Sequence, residues 1–397
     1  MRQAVIIDSV RTAIGKLGGT LKTVEADYLG ADVIGEIIRR TSLDASLIDE
    51  VILGQGKQST DTPNLARVAS LRAKLPIEIP SYTVHRQCGS GIQAINNATQ
   101  QVQTGLADFI IAGGVESMST APYYIRNARY GFGAGNGLLL DPNTESQPRS
   151  QPADQYGPFT MGNTAENLAE KYNISREEQD AFAYRSQQLT HEAISTGKFK
   201  DEIMDIQVSE RKSLTIFNVD EHPRLSSPDQ LAKLKVVFKK DGTVTAGNSS
   251  GRNDGASAVI VASEEAARQH GFKPKARIIA QAAAGVSPEL MGIGPVPATF
   301  KALKQAGLTF RDIGLIELNE AFAAQSLAVI KEWDVPLEKI NVNGGAIALG
   351  HPIGASGAIL MTKLLHEMER RGERYGLVTL CIAGGLGITT IVENLQV

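Results

Sequence analysis

Cysteine is scarce in this sequence of 397 residues, which contains only Cys88 and Cys381. Two cysteines are too few for a disulfide framework, so we expect a reducing compartment and a cytoplasmic protein. No apolar run approaches the roughly 18 residues that a membrane helix needs. The net charge of −3 gives no argument for nucleic acid or an anionic membrane surface as a partner. These absences favour a globular protein without nucleic-acid or membrane partners.

We expect neither a targeting peptide nor a permanently bound cofactor. A strand is predicted at residues 4–7, which leaves no room in front of it for a signal or transit peptide. The last residues, 394–397, match no retention or peroxisomal signal. Gly54-Gln55-Gly56 lacks the third glycine and the following helix of a dinucleotide fingerprint, and no phosphate loop occurs. The cysteines and histidines lack the spacing of metal ligands, so no metal is expected.

Apolar, β-rich runs alternate with helical patterns in residues 1–119, which we interpret as the core part of an N-terminal half. Continuous apolar strands separated by helices indicate a sheet covered on both faces, which is an α/β architecture. Gly113-Gly114 is expected to stop the last of these strands. Strands are predicted at residues 4–7, 51–53, 82–84 and 108–112, and helices at residues 27–40 and 64–73.

The pattern changes in residues 120–244, where glycine and proline mark long irregular loops. Helical sequence returns at residues 165–171 and 177–195, the second with Ser175 as the expected N-cap. Long loops in compact proteins usually serve function or assembly. We interpret this region as an inserted loop domain, although an independent domain would give the same pattern.

After the insertion, residues 245–273 return to the N-terminal half and residues 274–397 form a second half that resembles the first. Residues 46–54 resemble 309–318, and residues 108–114 resemble 379–385. Aligning Val51 with Ile316, Cys88 with His351 and Ala112 with Ala383 gives offsets of 265, 263 and 271. Such offsets predict one βαβ-rich unit that occurs twice. Two halves related by a pseudo-twofold axis would turn Cys88 and His351 towards one cleft.

Cys88 is the candidate nucleophile, because it follows a β-type run and precedes helical sequence through about residue 103. A strand-to-helix bend exposes one side chain beside free backbone N–H groups, and a helix N-terminus favours the thiolate. His351 is a candidate base, because imidazole can remove a thiol proton near neutral pH and glycines bracket this histidine. The alternatives are that Cys88 is a buried structural residue and that His351 has only a structural role in a tight turn at the start of a helix.

Two further side chains have both a chemical and a structural interpretation. Cys381 ends an apolar strand and is either a buried core residue or, beside a Cys–His pair, an acid–base thiol. Asn319 follows the third strand of the second half. Its carboxamide could fix a water or polarise a carbonyl, or it could be a helix N-cap.

The sequence resembles the thiolase family. Weaker matches fill the gaps between the main motifs, so the resemblance runs from about residue 4 to residue 393. The motifs that carry it, in the family's order, are Cys88-Gly89-Ser90-Gly91, Asn319-Glu320-Ala321-Phe322, Gly350-His351-Pro352 and Cys381-Ile382-Ala383-Gly384-Gly385.

The resemblance implies a five-layered α-β-α-β-α fold of two pseudo-symmetric halves. The inserted domain would cover coenzyme A and carry an assembly loop, and the protein would be a homodimer or homotetramer. The implied reaction is reversible acyl transfer between CoA thiols with making or breaking of a carbon–carbon bond, as in fatty-acid metabolism. Acetyl-CoA, acyl-CoA and CoA would be substrates, with acetoacetyl-CoA or longer 3-ketoacyl-CoA cleaved through an acyl-cysteine.

The resemblance also implies roles for single residues. Cys88 would take the acyl group, His351 would activate it, and Cys381 would move the proton. One oxyanion site would consist of His351 with a water held by Asn319, and the other of the backbone N–H groups of Cys88 and Ala383. By the same resemblance, CoA contacts are expected at Arg224, Ser250, Met161, Met291 and Phe322.

Three departures from the family pattern leave questions open. Ala383 stands where many members have glycine, which would be costly if the backbone required φ > 0. His85 replaces a common asparagine. Thr160 replaces a histidine of some short-chain biosynthetic relatives, which weakens an assignment to acetoacetyl-CoA. A decarboxylating condensing enzyme and a non-catalytic acyl-CoA- or lipid-binding member are the alternatives, and the intact motifs argue against both.

Overall fold

The computed structural model describes residues 2–210 and 213–397. In these residues the strands are β1 (Ala4–Thr12), β2 (Gly15–Lys16), β3 (Glu50–Gly54), β4 (Ser81–Val84), β5 (Phe109–Ser117), β6 (Tyr124–Ile125), β7 (Leu139–Leu140), β8 (Ile203–Met204), β9 (Ile206–Glu210), β10 (Ser213–Phe217), β11 (Asn253–Ser263), β12 (Ala276–Gly285), β13 (Leu315–Leu318), β14 (Tyr375–Ile382) and β15 (Leu386–Asn394).

The α-helices cover both outer faces and the centre of the sheet structure, and none in the described ranges has the length and apolarity to cross a membrane. They are α1 (Ala26–Thr41), α2 (Leu65–Arg72), α3 (Ser90–Thr104), α4 (Pro142–Glu145), α5 (Ala153–Tyr156), α6 (Met161–Lys171), α7 (Arg176–Ser195), α8 (Pro228–Ala232), α9 (Glu264–Gln269), α10 (Pro295–Ala306), α11 (Ala323–Trp333), α12 (Ala346–Leu349) and α13 (Ser356–Arg371).

The strand order confirms two pseudo-symmetric halves. The hydrogen-bonded path runs β13-β14-β15-β12-β1-β11-β5-β3-β4. In each half a parallel pair (β3–β5 or β13–β14) is followed by two antiparallel pairings, and the halves join where β1 pairs with β12. Reading the path outward from that junction therefore gives the same arrangement in both directions as far as β3 and β13, and β4 adds one further parallel strand to the N-terminal half.

The helices α3 and α13 form the central layer, and both contact strands of both halves. Their close packing depends on glycine. A Cβ at Gly91 would lie 2.9 Å from the backbone nitrogen of Ala358, and one at Gly357 would lie 2.5 Å from that of Ile92. The helices α1 and α2 pack outside the N-terminal half, and α10 packs outside the C-terminal half. This gives the five layers that the family resemblance implies.

The structure corrects the predicted register of the repeat. The helices α3 and α13 begin at Ser90 and Ser356, which are 266 positions apart, and β5 and β14 begin with the same separation. By this offset the counterpart of Cys88 is Gly354, so its predicted equivalence with His351 is wrong by three residues. His351 lies one turn before the bend, because the loop that precedes α13 is built differently from the one that precedes α3.

The structure also overturns one local prediction and excludes one structural alternative. The strand predicted to stop at Gly113-Gly114 continues to Ser117. The two glycines allow close approach instead, because a Cβ at either would lie 2.1 Å from the carbonyl oxygen of Ser257 or Gly354. Asn319 is not an N-cap either, because α11 begins at Ala323 with Phe322 in that position.

The insertion contains the predicted helices, the first of which begins at Met161, four residues before its expected start. Ser175 caps α7 as predicted and forms a capping box with Glu178. Arg11 of β1 ties this region to the core, because its buried guanidinium binds Glu202 (2.8 Å) and Asp220 (2.8 and 2.9 Å). The boundaries of the insertion, residues 120 and 244, remain predictions.

Candidate active site

Cys88 lies on a constrained bend between β4 and α3. Gln87 precedes it with φ of +45°, a conformation that non-glycine residues rarely adopt. The hydroxyl of Ser90 holds the bend by accepting from the N–H of Arg86 (2.9 Å) and donating to the carbonyl of Gln87 (2.6 Å). The bend therefore fixes the direction of the Cys88 side chain, as the strand-to-helix sequence predicts.

The thiol of Cys88 lies in a cavity of about 310 Å³ that both halves and the insertion line. The volume is at the lower end of the range for small-molecule sites. A Cβ at Gly89 would lie 2.5 Å from Ile382, so β14 of the second half packs directly on the nucleophile bend. Eight of the ten predicted site residues line this cavity: Cys88, His351, Cys381, Ala383, Met161, Ser250, Met291 and Phe322.

The two ring nitrogens of His351 differ, because one is hydrogen-bonded within the protein and the other is available to a substrate. Its Nδ1 lies 2.6 Å from the Oγ of Ser356, which donates its own proton to the carbonyl of Pro352 (3.0 Å). Nδ1–H is therefore the donor, and Nε2 carries a lone pair. Nε2 is buried and has no partner among the described residues. Burial, with a smaller contribution from the charge of Lys57, lowers the pKa of His351 to about 4, so the neutral base predominates at pH 7.

Both thiols rest in the protonated form. Burial raises the pKa of Cys88, although the backbone N–H of Ala383 and the ammonium of Lys57 oppose this shift. The expected preference of Cys88 for the thiolate form is therefore not met, because desolvation outweighs the effect of the helix N-terminus. Burial raises the pKa of Cys381 much further, and a negative charge on Cys88 adds to this increase. Cys88 therefore needs a base, and Cys381 is suited to donate a proton.

The alanine at position 383 costs no backbone strain. The positive φ values in this turn belong to Gly384 (+93°) and Gly385 (+86°), and Ala383 lies outside the left-handed region. Its backbone N–H faces the sulfur of Cys88 and opposes the rise of the Cys88 pKa, so the donor survives the departure from glycine.

Asn319 does not line the cavity of Cys88. It lies in a separate space of about 10 Å³, bounded also by Gly350 and Pro352 on either side of His351. Its side chain is 1% exposed, and neither amide atom has a hydrogen-bond partner within residues 2–210 and 213–397. A space of this size holds about one water molecule. The position fits a water held behind His351.

Arg224 lines a second, outer cavity of about 670 Å³ that also contains Lys16 and His222. Ser250, Phe238 and Arg252 line both cavities, so the two spaces are continuous. Basic side chains at the outer end suit phosphate groups, and apolar side chains at the inner end suit a thioester-linked chain.

Sequence reasoning missed four residues of the site: Lys16, Lys57, Phe238 and Arg252. Lys57 follows Gly54-Gln55-Gly56, which the sequence offered only as an incomplete nucleotide motif. No periodicity or spacing marks the other three, because Phe238 and Arg252 lie in loops and Lys16 lies in the two-residue strand β2.

Comparison with known proteins agrees with this geometry. Residues 4–265 match the family model described as thiolase, N-terminal domain, and residues 272–394 match thiolase, C-terminal domain. Acetyl-CoA acetyltransferase of Syntrophomonas wolfei is 49% identical, over 99% of this chain and 100% of its own length.

Two solved structures agree equally well. The acetyl-CoA acetyltransferase of Bacillus anthracis superposes with a TM-score of 0.96 and 45% identity, over 99% of each chain. Human mitochondrial 3-ketoacyl-CoA thiolase in complex with CoA superposes with a TM-score of 0.93 and 44% identity, over 99% of this chain and 98% of its own. The chain therefore belongs to the thiolase family and is a CoA-dependent acyltransferase.

Proposed function

We propose that this thiolase cleaves and forms 3-oxoacyl-CoA through an acyl thioester on Cys88, with His351, Cys381, Asn319 and Ala383 in the roles that the family pattern implies. One observation supports this most directly. Two thiols and an imidazole nitrogen that has no partner among the described residues, from both halves of the chain, line one cavity.

In the first step, Nε2 of His351 takes the proton of the Cys88 thiol, and the sulfur adds to C3 of the substrate. The neutral imidazole that Ser356 orients is the competent form. Once protonated, Nε2–H becomes a donor. The same nitrogen can thus act first as base and then in an oxyanion site.

In the second step, the C2–C3 bond breaks and Cys381 gives its proton to C2 of the departing acetyl-CoA enolate. The thiolate of Cys381 then removes the proton of an incoming CoA thiol, which attacks the acyl group on Cys88. Cys88 leaves as a thiolate and recovers its proton from His351, so every group returns to its starting state. A buried Cys381 with a raised pKa favours proton donation over premature ionisation.

Two donor sets would hold the negative oxygens of these steps. The backbone N–H of Ala383 already contacts the sulfur of Cys88 and, with the N–H of Cys88, can hold the oxygen of the tetrahedral adduct. Nε2–H of His351 and a water held by Asn319 would hold the enolate oxygen. Losing one such donor typically costs about 2.7–4 kcal/mol of transition-state stabilisation.

The CoA contacts follow the two connected cavities. Arg224, with Lys16 and His222, lines the outer cavity, where phosphates would bind. Ser250 lies at the junction, and its N–H donates to the carbonyl of Ala321 (3.0 Å), which fixes this part of the channel. Met161, Met291 and Phe322 line the apolar inner end. This order matches the polar and apolar ends of an acyl-pantetheine chain.

The acyl chain of the preferred substrate is either that of acetoacetyl-CoA or that of a longer 3-ketoacyl-CoA. Relatives with both kinds of name match the chain at nearly the same identity, 45% and 44%. The inner cavity of about 310 Å³ supports short acyl chains. Rates on 3-ketoacyl-CoA from C4 through C16 would determine the preference, and the favoured direction in the cell is a separate question.

A homodimer or homotetramer in the cytoplasm remains part of the proposal. The insertion carries exposed apolar side chains, with Tyr130 94% and Leu138 74% exposed. An exposed apolar loop of this kind supports its expected role in assembly.

The test of this function separates the two cysteines. Cys88→Ser and Cys381→Ser should each nearly abolish thiolysis, but only Cys88→Ser should prevent acyl-enzyme formation. Mass spectrometry of each variant after treatment with acetoacetyl-CoA measures the acetyl adduct. An acetylated Cys88→Ser protein would refute the role of Cys88, and absence of thiolysis in the unmodified protein would favour a non-catalytic acyl-CoA-binding member.

A further inference from the structure

Lys57 is a buried cation in the wall of the inner cavity that the mechanism above does not use. It follows β3, is 8% exposed, and its ammonium donates a hydrogen bond to the hydroxyl of Ser146. It forms no ion pair with any residue in the ranges 2–210 and 213–397. Burying a charge without a charged partner is costly, so such a residue in a binding cavity calls for a functional explanation.

The nearest carboxylate, Glu116, is already occupied by backbone donors. Its oxygens accept from the N–H groups of Gly56 (2.9 Å), Lys57 (3.0 Å) and Gly354 (2.9 Å). The charge of Glu116 raises the pKa of Lys57 from a distance. Desolvation has the larger effect, so the pKa of Lys57 is lowered. Glu116 thus explains why the loops around it are ordered, and it does not neutralise the ammonium by direct contact.

The wall around Lys57 differs from the rest of the cavity. Asn143, Ser146, Gln147 and Ser150 place amide and hydroxyl groups on this side, together with the guanidinium of Arg252. Within the described ranges, the ion pair that Arg252 forms is a long one with Asp141, at 3.8 Å. Methionine and phenylalanine side chains of another cluster, Met161, Met291, Phe238 and Phe322, also line the cavity. The cavity therefore has one apolar wall for the thioester-linked chain and one polar, cationic wall.

A hydrocarbon tail would fit this polar wall poorly. It would cover Lys57 and the neighbouring amides without offering a hydrogen-bond acceptor. A carboxylate would supply the missing charge and accept from the ammonium and the Ser146 hydroxyl. We propose that the inner cavity selects 3-oxoacyl-CoA substrates whose short acyl chain ends in a carboxylate, with Lys57 and Ser146 as its binding groups. This inference rests on the thiolase function proposed above and specifies its substrate class.

The reaction of such a substrate balances without any further reagent. With 3-oxoadipyl-CoA, the C2–C3 bond breaks, C2 takes the proton of Cys381, and the four-carbon acyl group moves to Cys88. CoA then accepts this acyl group as its thioester. The terminal carboxylate is unchanged throughout, so Lys57 acts as a specificity-determining group.

The experiment compares two substrates that differ only at the end of the chain. The value of kcat/KM is measured for 3-oxoadipyl-CoA and for 3-oxohexanoyl-CoA, which has a methyl group in place of the carboxylate. Lys57→Met should reduce the ratio of the two values by about 30-fold or more, since the carboxylate would lose its charged partner in a buried site. Lys57→Arg should retain a preference for the carboxylate. Lys16→Met, in the outer cavity, is the matched lysine control and should leave the ratio unchanged.

Each result has a defined meaning. Equal loss on both substrates in Lys57→Met would overturn the inference, because the lysine would then act on Cys88 or on the fold. Cleavage of acetoacetyl-CoA and 3-oxohexanoyl-CoA but not of 3-oxoadipyl-CoA would also overturn it and would leave the thiolase function intact. Failure on all three substrates would overturn the proposed function itself. The melting temperature of each variant shows whether the protein is folded.

Discussion

Replacing Asn319 by leucine should slow the reaction without weakening the fold. Asn319 is 1% exposed, and its amide has no hydrogen-bond partner among the described residues. An asparagine with a structural role at such a site would be expected to have its amide satisfied by the protein. We therefore expect that its amide is retained for the water behind His351 and contributes to the reaction rather than to stability.

The substitution should change kcat and the free energy of unfolding in different ways. If Asn319 holds one oxyanion donor, its loss should lower kcat by about 10²- to 10³-fold. An unsatisfied buried polar group costs about 1–3 kcal/mol, so leucine, which keeps the branching and the number of heavy atoms of the side chain, should leave the free energy of unfolding unchanged or raise it. The variant would then be nearly inactive and at least as stable as the parent protein.

The assay pairs steady-state thiolysis of acetoacetyl-CoA with urea unfolding, and Asn343→Leu is the matched control. Asn343 is also buried, at 4% exposure, but it donates to Glu367 (2.8 Å) and accepts from Lys198 (3.1 Å). Its replacement should lower stability by about 1–3 kcal/mol and leave kcat within a few-fold. A destabilised Asn319→Leu protein with normal kcat per folded molecule would show that Asn319 has a structural role.

Two further predictions concern protonation. Because burial raises the pKa of Cys88, alkylation by iodoacetamide should be slow at pH 7 and rise about tenfold per pH unit beyond pH 8, and a plateau below pH 8 would contradict this. His351 has a pKa of about 4 in the fold and about 6.5 when unfolded, so the stability it contributes is present above pH 6.5 and is lost as the pH falls. Relative to pH 7, His351→Gln should retain about 2 kcal/mol more unfolding free energy at pH 4.5 than the parent, measured by urea midpoints. Parallel pH profiles for the two proteins would exclude a depressed pKa of His351.

The sequence by itself determined the α/β class, the two halves and the motifs with Cys88, His351 and Cys381. These features depend on local patterns: apolar runs for strands, a cap such as Ser175 for a helix, and small residues at a bend. The tertiary structure decided what depends on distant neighbours. It placed Asn319 behind His351 rather than beside Cys88, and it showed that Gly113-Gly114 permits close packing rather than ending a strand. It also reversed the expected shift of the Cys88 pKa and put the cation of Lys57 into the cavity. Desolvation and the meeting of separate loops arise only when the chain is folded, and no short stretch of sequence records them.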